Sequence, residues 1–111
     1  MFVLKSSPTV SWPIQIPMPA DGGAVERIDV TVEYKLLPQS RYEELKAHDK
    51  DLLKECVVGW NDDAFGQENA NGDADPLPFT AENLAALIEY PFIRTGLLQG
   101  YWQAVAGLEK N

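Results

Sequence analysis

The fold is decided by residues 28–36, which read IDVTVEYKL. Apolar side chains occupy every second position of this stretch, and polar or charged side chains occupy the positions between them. A period of two is typical of a β-strand that turns one face to a core and the other to solvent. The sequence therefore predicts a strand here, and the rest of the chain must cover its apolar face.

A second strand is predicted just upstream. Residues 10–16 read VSWPIQI and place their large apolar side chains on the even positions. Because proline has no N–H to donate to a ladder, we expect an edge strand in which Pro13 faces away from its neighbour. Residues 21–23, DGG, carry the turn chemistry that joins two such strands. Residues 1–37 are therefore predicted to form an antiparallel β-hairpin.

Residues 38–60 show a helical period instead. Ser40 and Glu43 have the spacing of a capping box, and apolar residues recur at intervals of three, four and seven as far as Val57. We predict one helix that ends at Gly59 and lays its apolar stripe on the sheet.

Residues 61–79 are predicted to form an acidic loop. Between positions 61 and 76 there are five acidic residues, no basic residue and no apolar period. A calcium-binding loop has an invariant glycine at its sixth position. If Gly72 takes that position, Pro78 stands where a glutamate ligand is required. If Gly66 takes it, Phe65 stands on a ligand position, so neither alignment fits. We expect a solvated loop that keeps the protein soluble. The alternative is an acidic inhibitor of a nucleic-acid-binding protein, which requires a rigid acidic face.

Residues 80–107 are predicted to be helical, with Thr80 as an N-cap and Pro91 in the first turn of a last helix. Apolar residues on that helix, as far as Leu108, cover a wider part of its circumference than the single stripe of about 100° that is usual for a surface helix. A chain of this size has little other protein to cover it, so we expect contacts with another chain, the alternative being that the same side chains pack in the core. The candidate interface residues are Trp12, Phe92, Leu98, Tyr101, Trp102 and Val105.

Catalytic chemistry is not indicated. His48 is the one histidine and lies in a charged stretch, while Cys56, the one cysteine, lies on an apolar stripe, where a thiol behaves as a small hydrophobe. A single cysteine also excludes an internal disulfide and a thiolate zinc cluster. The sequence contains no glycine-rich phosphate loop. We therefore expect a protein that is not an enzyme and has no cofactor and no bound metal.

Length and charge narrow the class of protein further. The chain has 111 residues and a formal net charge of -8, which suits a single α+β domain over residues 1–111, a hairpin packed against about three helices. An acidic balance argues against nucleic acid or an anionic membrane as a partner. No stretch approaches the ~20 apolar residues of a membrane span. The first residues lack the layout of a signal peptide, so we expect a cytoplasmic protein.

Five segments, in this order and spacing, resemble a known family. They are TVSWP at 9–13, LPQS at 37–40, DLLKECVVGW at 51–60, LPFTAENLAALI at 77–88 and YPFIR at 90–94. The pattern covers nearly the whole chain and resembles the small tail assembly chaperones of long-tailed, lambda-like bacteriophages. The acidic segment looks longer here than a minimal turn.

The resemblance implies a non-enzymatic assembly factor. Members of that family bind the helix-rich tape measure protein, keep it soluble and help tail tube subunits assemble around it, in the host cytoplasm. They are absent from the mature virion. In many relatives a programmed frameshift makes an extended form that recruits the tube protein. The resemblance therefore implies the tape measure protein and the tail tube protein as partners, and self-association into a homo-oligomer fits the apolar last helix.

The final three residues offer a separate hint. Residues 109–111, EKN, can be encoded by GAA-AAA-AAC, which contains a heptamer on which ribosomes slip. We expect a frameshift site there. The alternative function is a virion structural component, such as a head–tail connector or a tube accessory protein, which would use the same apolar surfaces for permanent assembly.

Overall fold

The computed structural model describes residues 1–4, 6 and 8–107 and has an α+β fold, as predicted. An N-terminal antiparallel sheet is followed by helices that pack against it. In chain order the elements are β1 (Thr9–Pro19), β2 (Val25–Lys35), α1 (Gln39–Leu45), α2 (Asp49–Cys56), β3 (Val57–Trp60), β4 (Gly66–Glu68), β5 (Ala74–Pro76), α3 (Ala81–Leu87) and α4 (Pro91–Gly107).

The predicted hairpin is confirmed. β1 and β2 pair in antiparallel register with Ile14 opposite Val30, so the apolar positions of both strands share one face. The chain reverses through a short turn in which Gly22 and Gly23 have φ of 78° and 82°, a region that favours glycine. The two alternating patterns therefore place their apolar halves on the same side of the sheet.

The outer edge of β1 is rich in proline. The N–H of Leu36 donates to the carbonyl of Pro8, so the even-numbered residues at this end of the chain turn their backbone toward β2. Backbone direction alternates along a strand, which leaves Pro13, Pro17 and Pro19 on the outer side. Pro13 thus lies where the sequence placed it, and this edge lacks half of the N–H donors it would otherwise offer.

The single helix predicted over residues 38–60 is wrong. Two helices, α1 and α2, are separated by a break around Lys46, and His48 is the N-cap of α2 rather than a mid-helix residue. Ser40 does not cap: Pro38 is the N-cap of α1 and makes no side-chain capping bond. The apolar stripe still reaches the core through Leu52 and Cys56 of α2.

The segment after α2 is a strand, not the end of a helix. β3 pairs with the free edge of β2, with Trp60 opposite Val32 and Gly59 opposite Glu33, which makes a three-stranded sheet with β2 in the centre. The Trp60 Nε1–H donates to the carbonyl of Leu77 at 2.8 Å. The indole therefore fastens the following segment against the sheet.

The acidic loop predicted over residues 61–79 contains a small hairpin. β4 and β5 pair in antiparallel register, and the Asn69 Oδ1 accepts from the backbone N–H groups of Asn71 and Asp73 at 2.9 and 3.0 Å. Gly72 has a φ of 83° in the same turn. Two of the five acidic residues, Glu68 and Asp75, therefore lie on strands, and the other three lie outside them.

The C-terminal helices begin where the sequence predicts. The Thr80 Oγ1 accepts from the Asn83 N–H at 3.0 Å and caps α3, and Pro91 opens α4. α4 lies on β1, and the buried side chains of sheet and helices form one core. The buried core residues are Ile14, Ile16, Val30, Val32, Tyr34, Leu52, Leu53, Cys56, Val57, Leu84, Ile88, Ile93, Leu97, Tyr101 and Ala104.

Two glycines let α4 sit close to β1. A Cβ at Gly96 would lie 2.8 Å from the Ile16 Cδ1, and a Cβ at Gly100 would lie 2.2 Å from the Ile14 Cγ2. Gly96 faces Ile16 and Gly100 faces Ile14, so α4 runs in the opposite direction to β1. The Tyr34 hydroxyl donates to the Leu97 carbonyl at 2.8 Å and ties β2 to the same helix.

Candidate partner-binding surface

α4 divides its apolar side chains between the core and solvent. Ile93, Leu97, Tyr101 and Ala104 are buried against the sheet and α2. Leu98, Trp102 and Val105 recur at intervals of four and three, so they share the neighbouring face of the helix. The wide apolar surface read from the sequence is therefore partly core and partly available to another molecule.

The available part continues onto α1. The ring of Tyr42 meets the indole of Trp102 edge to face, with centroids 5.1 Å apart. Trp102 is 45% exposed and Val105 is 38% exposed, while Leu98 and Tyr42 are half-buried. These four side chains, Tyr42, Leu98, Trp102 and Val105, are called the α1–α4 patch below.

Arg41 of α1, next to Tyr42, forms two ion pairs. The Arg41 guanidinium contacts Glu55 on α2 at 2.6 Å and Glu44 on its own helix at 2.7 Å. Both hydrogen bonds raise the Arg41 pKa further above its already high range, and the bond to Glu55 has the larger effect. Arg41 and Glu44 are exposed and Glu55 is half-buried, so the pairs add little to stability. The Glu44 pair lies within α1, and the Glu55 pair links α1 to α2.

Tyr101 does not belong to the candidate interface. Its side chain is 2% exposed, its hydroxyl accepts from the Leu37 N–H at 3.2 Å, and its ring meets Tyr34 edge to face at 5.7 Å. Burial raises the pKa of this hydroxyl. Tyr101 is therefore a core residue that joins α4 to the end of β2, and the expectation that it contacts a partner is wrong.

The structure separates the other candidates. Phe92 is half-buried in the first turn of α4, beside Tyr90, about 15 Å along the helix axis from Trp102. Trp12 is half-buried on β1 and packs against the core. Of the six predicted residues, Leu98, Trp102 and Val105 come together in one patch. Leu108 and residues 109–111 lie outside the described residues.

Tyr42 is the patch residue that sequence reasoning assigned elsewhere. Its place on an apolar stripe indicated core, and its ring does contact the core with one side. The break after Leu45 separates α1 from α2, and no proline or glycine marks it, so the sequence carried no signal for this role of Tyr42. The spacing of Leu98, Trp102 and Val105 was visible in the sequence as a second stripe.

The groups with reactive chemistry do not form a site with this patch. Cys56 is fully buried, and burial raises the pKa of its thiol to about 12. His48 is exposed at the start of α2. Within residues 1–4, 6 and 8–107, no three His, Cys, Asp or Glu side chains lie close enough to hold a metal ion. Over the same part of the chain, no helix is both long and apolar enough to cross a membrane.

Fold and surface together define an α+β domain with an exposed aromatic patch between two helices. The chain matches no family model, no curated protein and no solved structure.

Proposed function

We propose that this protein is a non-enzymatic tail assembly chaperone of a long-tailed bacteriophage, which binds the tape measure protein through the α1–α4 patch. The observation that carries the proposal is the exposure of Trp102 and Val105 on a helix whose neighbouring face is already in the core. The order of motifs along the chain, from the β1 strand to the start of α4, resembles that family.

The patch has the chemistry that a helical client requires. An amphipathic helix docks by laying its apolar face on an apolar surface, and Trp and Tyr anchors dominate the energy of such contacts. Trp102 and Tyr42 offer two such rings in edge-to-face contact. The net charge of -8 keeps the loaded complex in solution and disfavours aggregation of the client.

The test is client capture by purified variants. The Trp102→Ala protein should bind the tape measure protein about 30-fold more weakly, because hot-spot residues contribute about 2 kcal/mol or more. Its own stability should fall by about 2 kcal/mol, the contribution of its edge-to-face contacts with Tyr42 and Tyr101, which leaves the variant folded. Gln103→Ala, an exposed neighbour on α4, is the matched control. Equal client binding by both variants contradicts the proposal.

The proposal includes an extended form that recruits the tail tube protein, self-association of the chaperone and a place in the host cytoplasm. Mass spectrometry of the products made from the gene with its native downstream DNA tests the extended form. A minor species that continues past residue 110 or 111 supports it. Abundant protein in purified particles would instead favour a virion structural component such as a head–tail connector.

A further inference from the structure

Four consecutive apolar residues, Met1–Leu4, lie in solvent at the start of the described chain. Phe2 is 88% exposed, Val3 70% and Leu4 75%. Single exposed apolar residues are ordinary on protein surfaces, whereas a run of four is not. This segment, called the apolar arm below, is available for burial against another surface.

An apolar groove of about 660 Å³ lies between β3 and α3. The walls are formed by the start of β3, by Phe79 and by α3, while the charged side chains of Lys54 and Glu82 are exposed beside it. A groove of this size can hold several side chains of an extended peptide. Its apolar residues are Val57, Val58, Phe79, Ala81, Leu84 and Ala85.

The strand beside the groove has an open edge. β3 pairs only with β2 among the described strands of its sheet. The Asn61 N–H donates to the Thr31 carbonyl. Successive residues of a strand point their N–H and C=O groups to opposite sides, so those of Trp60 point away from β2. Unlike β1, β3 contains no proline. This edge can therefore pair with an incoming extended segment.

We propose that the apolar arm of one copy docks in the groove of a second copy, extended beside β3. In an extended segment Phe2 and Leu4 point to one side and rest on the apolar walls, while Val3 lies on the open side of the groove, where Glu82 is exposed. Docking would bury the exposed apolar side chains of the arm against the apolar residues of the groove. The occupant is thus a segment of the same chain.

Chain geometry selects a second copy over the same copy. The arm leaves the fold beside β1, whereas the groove lies beyond β3 at the other edge of the sheet. A strand paired with β3 would lie three strand spacings, about 14 Å, from β1. The start of β3 is also about two residues further along the sheet than Pro8, so the distance from Pro8 to that strand is about 16 Å. Leu4 is four residues from Pro8 and reaches about 14 Å at most. A path around the sheet is longer still.

This inference deepens the self-association in the proposed function and rests on that part alone. It requires only purified protein, without a tape measure partner. Failure of the experiments below leaves client binding by the α1–α4 patch untouched, and failure of client capture leaves the arm contact untouched.

Disulfide trapping tests the contact directly. Val3→Cys protein is mixed with Glu82→Cys protein in a buffer that contains oxidised glutathione as the oxidant, and both proteins keep the buried Cys56. The mixed dimer should form at least about tenfold faster than with Asp21→Cys, an exposed control at the hairpin turn. Equal rates overturn the proposal. A single chain carrying both Val3→Cys and Glu82→Cys should form linked dimers, and an internal disulfide in monomers would overturn the choice of a second copy.

A second variant pair tests the energetic role of the arm. Phe2→Asp/Leu4→Asp should raise the dissociation constant for self-association at least about tenfold in sedimentation experiments, with the melting temperature unchanged because these side chains are exposed. Met18→Asp/Val25→Asp, which also places charge on exposed apolar sites, is the control. If both variants associate as the parent does, the arm makes no contact and the proposal is wrong.

Discussion

Gly100→Ala is the substitution with the clearest expected outcome. The new methyl group would lie 2.2 Å from the Ile14 Cγ2 and 2.5 Å from the Tyr34 hydroxyl. Ordinary carbon–carbon contacts are about 3.5–4.0 Å, so helix and strand must separate. The intrinsic preference of alanine for a helix acts in the opposite direction by about 1 kcal/mol.

The magnitude follows from three contributions. Overpacking of a core costs about 1–3 kcal/mol, and the shortest contact places this site at the upper end. Displacement of the Tyr34 hydroxyl from the Leu97 carbonyl removes a buried hydrogen bond that contributes about 1 kcal/mol. With the helix preference subtracted, we expect a loss of about 3 kcal/mol. For a domain of this size the melting temperature should fall by about 12 °C.

Gly96→Ala provides the matched control. Its new methyl group would meet the Ile16 Cδ1 at 2.8 Å, the far end of a flexible side chain, and the Gln15 carbonyl oxygen at 3.0 Å. A small rearrangement relieves the first contact, but the Gln15 carbonyl and the Ile16 Cα, at 3.1 Å, are backbone atoms, so α4 must shift slightly. We therefore expect a loss of about 1 kcal/mol after the gain in helix preference, well below the loss for Gly100→Ala. Urea unfolding followed by circular dichroism measures both variants.

A double-mutant cycle identifies the cause of the loss. Tyr34→Phe should cost about 1 kcal/mol in the parent and much less in the Gly100→Ala background, where the hydroxyl is already displaced. If Gly100→Ala is as stable as the parent, or if the two substitutions add without coupling, α4 does not lie on β1 as described.

Two further predictions concern pH and capping. Burial raises the pKa of Cys56 to about 12 and also raises the pKa of Tyr34 and Tyr101. These groups are neutral in the folded state but ionise more easily in the unfolded state, so the free energy of unfolding is highest below about pH 8.5 and falls as the pH rises toward 12. The urea midpoint should decrease between pH 8.5 and 10.5, less steeply in Cys56→Ala, and a flat profile would contradict the burial of these groups. Thr80→Ala should lower stability by about 1 kcal/mol because α3 loses its cap, while Thr80→Ser retains it. Equal urea midpoints for those two variants would show that the hydroxyl does not cap the helix.

The β1–β2 hairpin was predictable because its signals are local. Alternation over residues 28–36 and the turn at Gly22 depend only on neighbours in the chain. The break between α1 and α2 was not, because Leu45 and Leu52 are seven residues apart and continue the same helical stripe across it. No proline or glycine marks that break, which tertiary packing imposes.

β3 was missed for a different reason. Its four residues, Val57–Trp60, form a strand only because the free edge of β2 lies beside them, and such a distant pairing leaves no local period. The β4–β5 hairpin did leave a signal, since Asn71 and Gly72 form a dipeptide typical of tight turns.

The division of α4 into core and surface could have been predicted in part. A helix that is apolar on several sides does not reveal which side is buried, and Tyr101 was therefore assigned to the wrong surface. Gly96 and Gly100, four residues apart, mark the side that approaches β1. Reading them as a packing stripe would have placed Tyr101, one position on, near the core and left Trp102 outside.

The prolines on the outer side of β1 also bear on how this protein avoids irreversible aggregation. A fibril of stacked strands grows only if every sheet offers two edges that can pair through backbone hydrogen bonds. Pro13, Pro17 and Pro19 remove half of the outward N–H donors from one edge, so two sheets pair at β3 more readily than a further sheet pairs at β1. Edge pairing between sheets is thus disfavoured beyond a pair, and any larger assembly has to be linked mainly by side-chain surfaces, contacts that can dissociate.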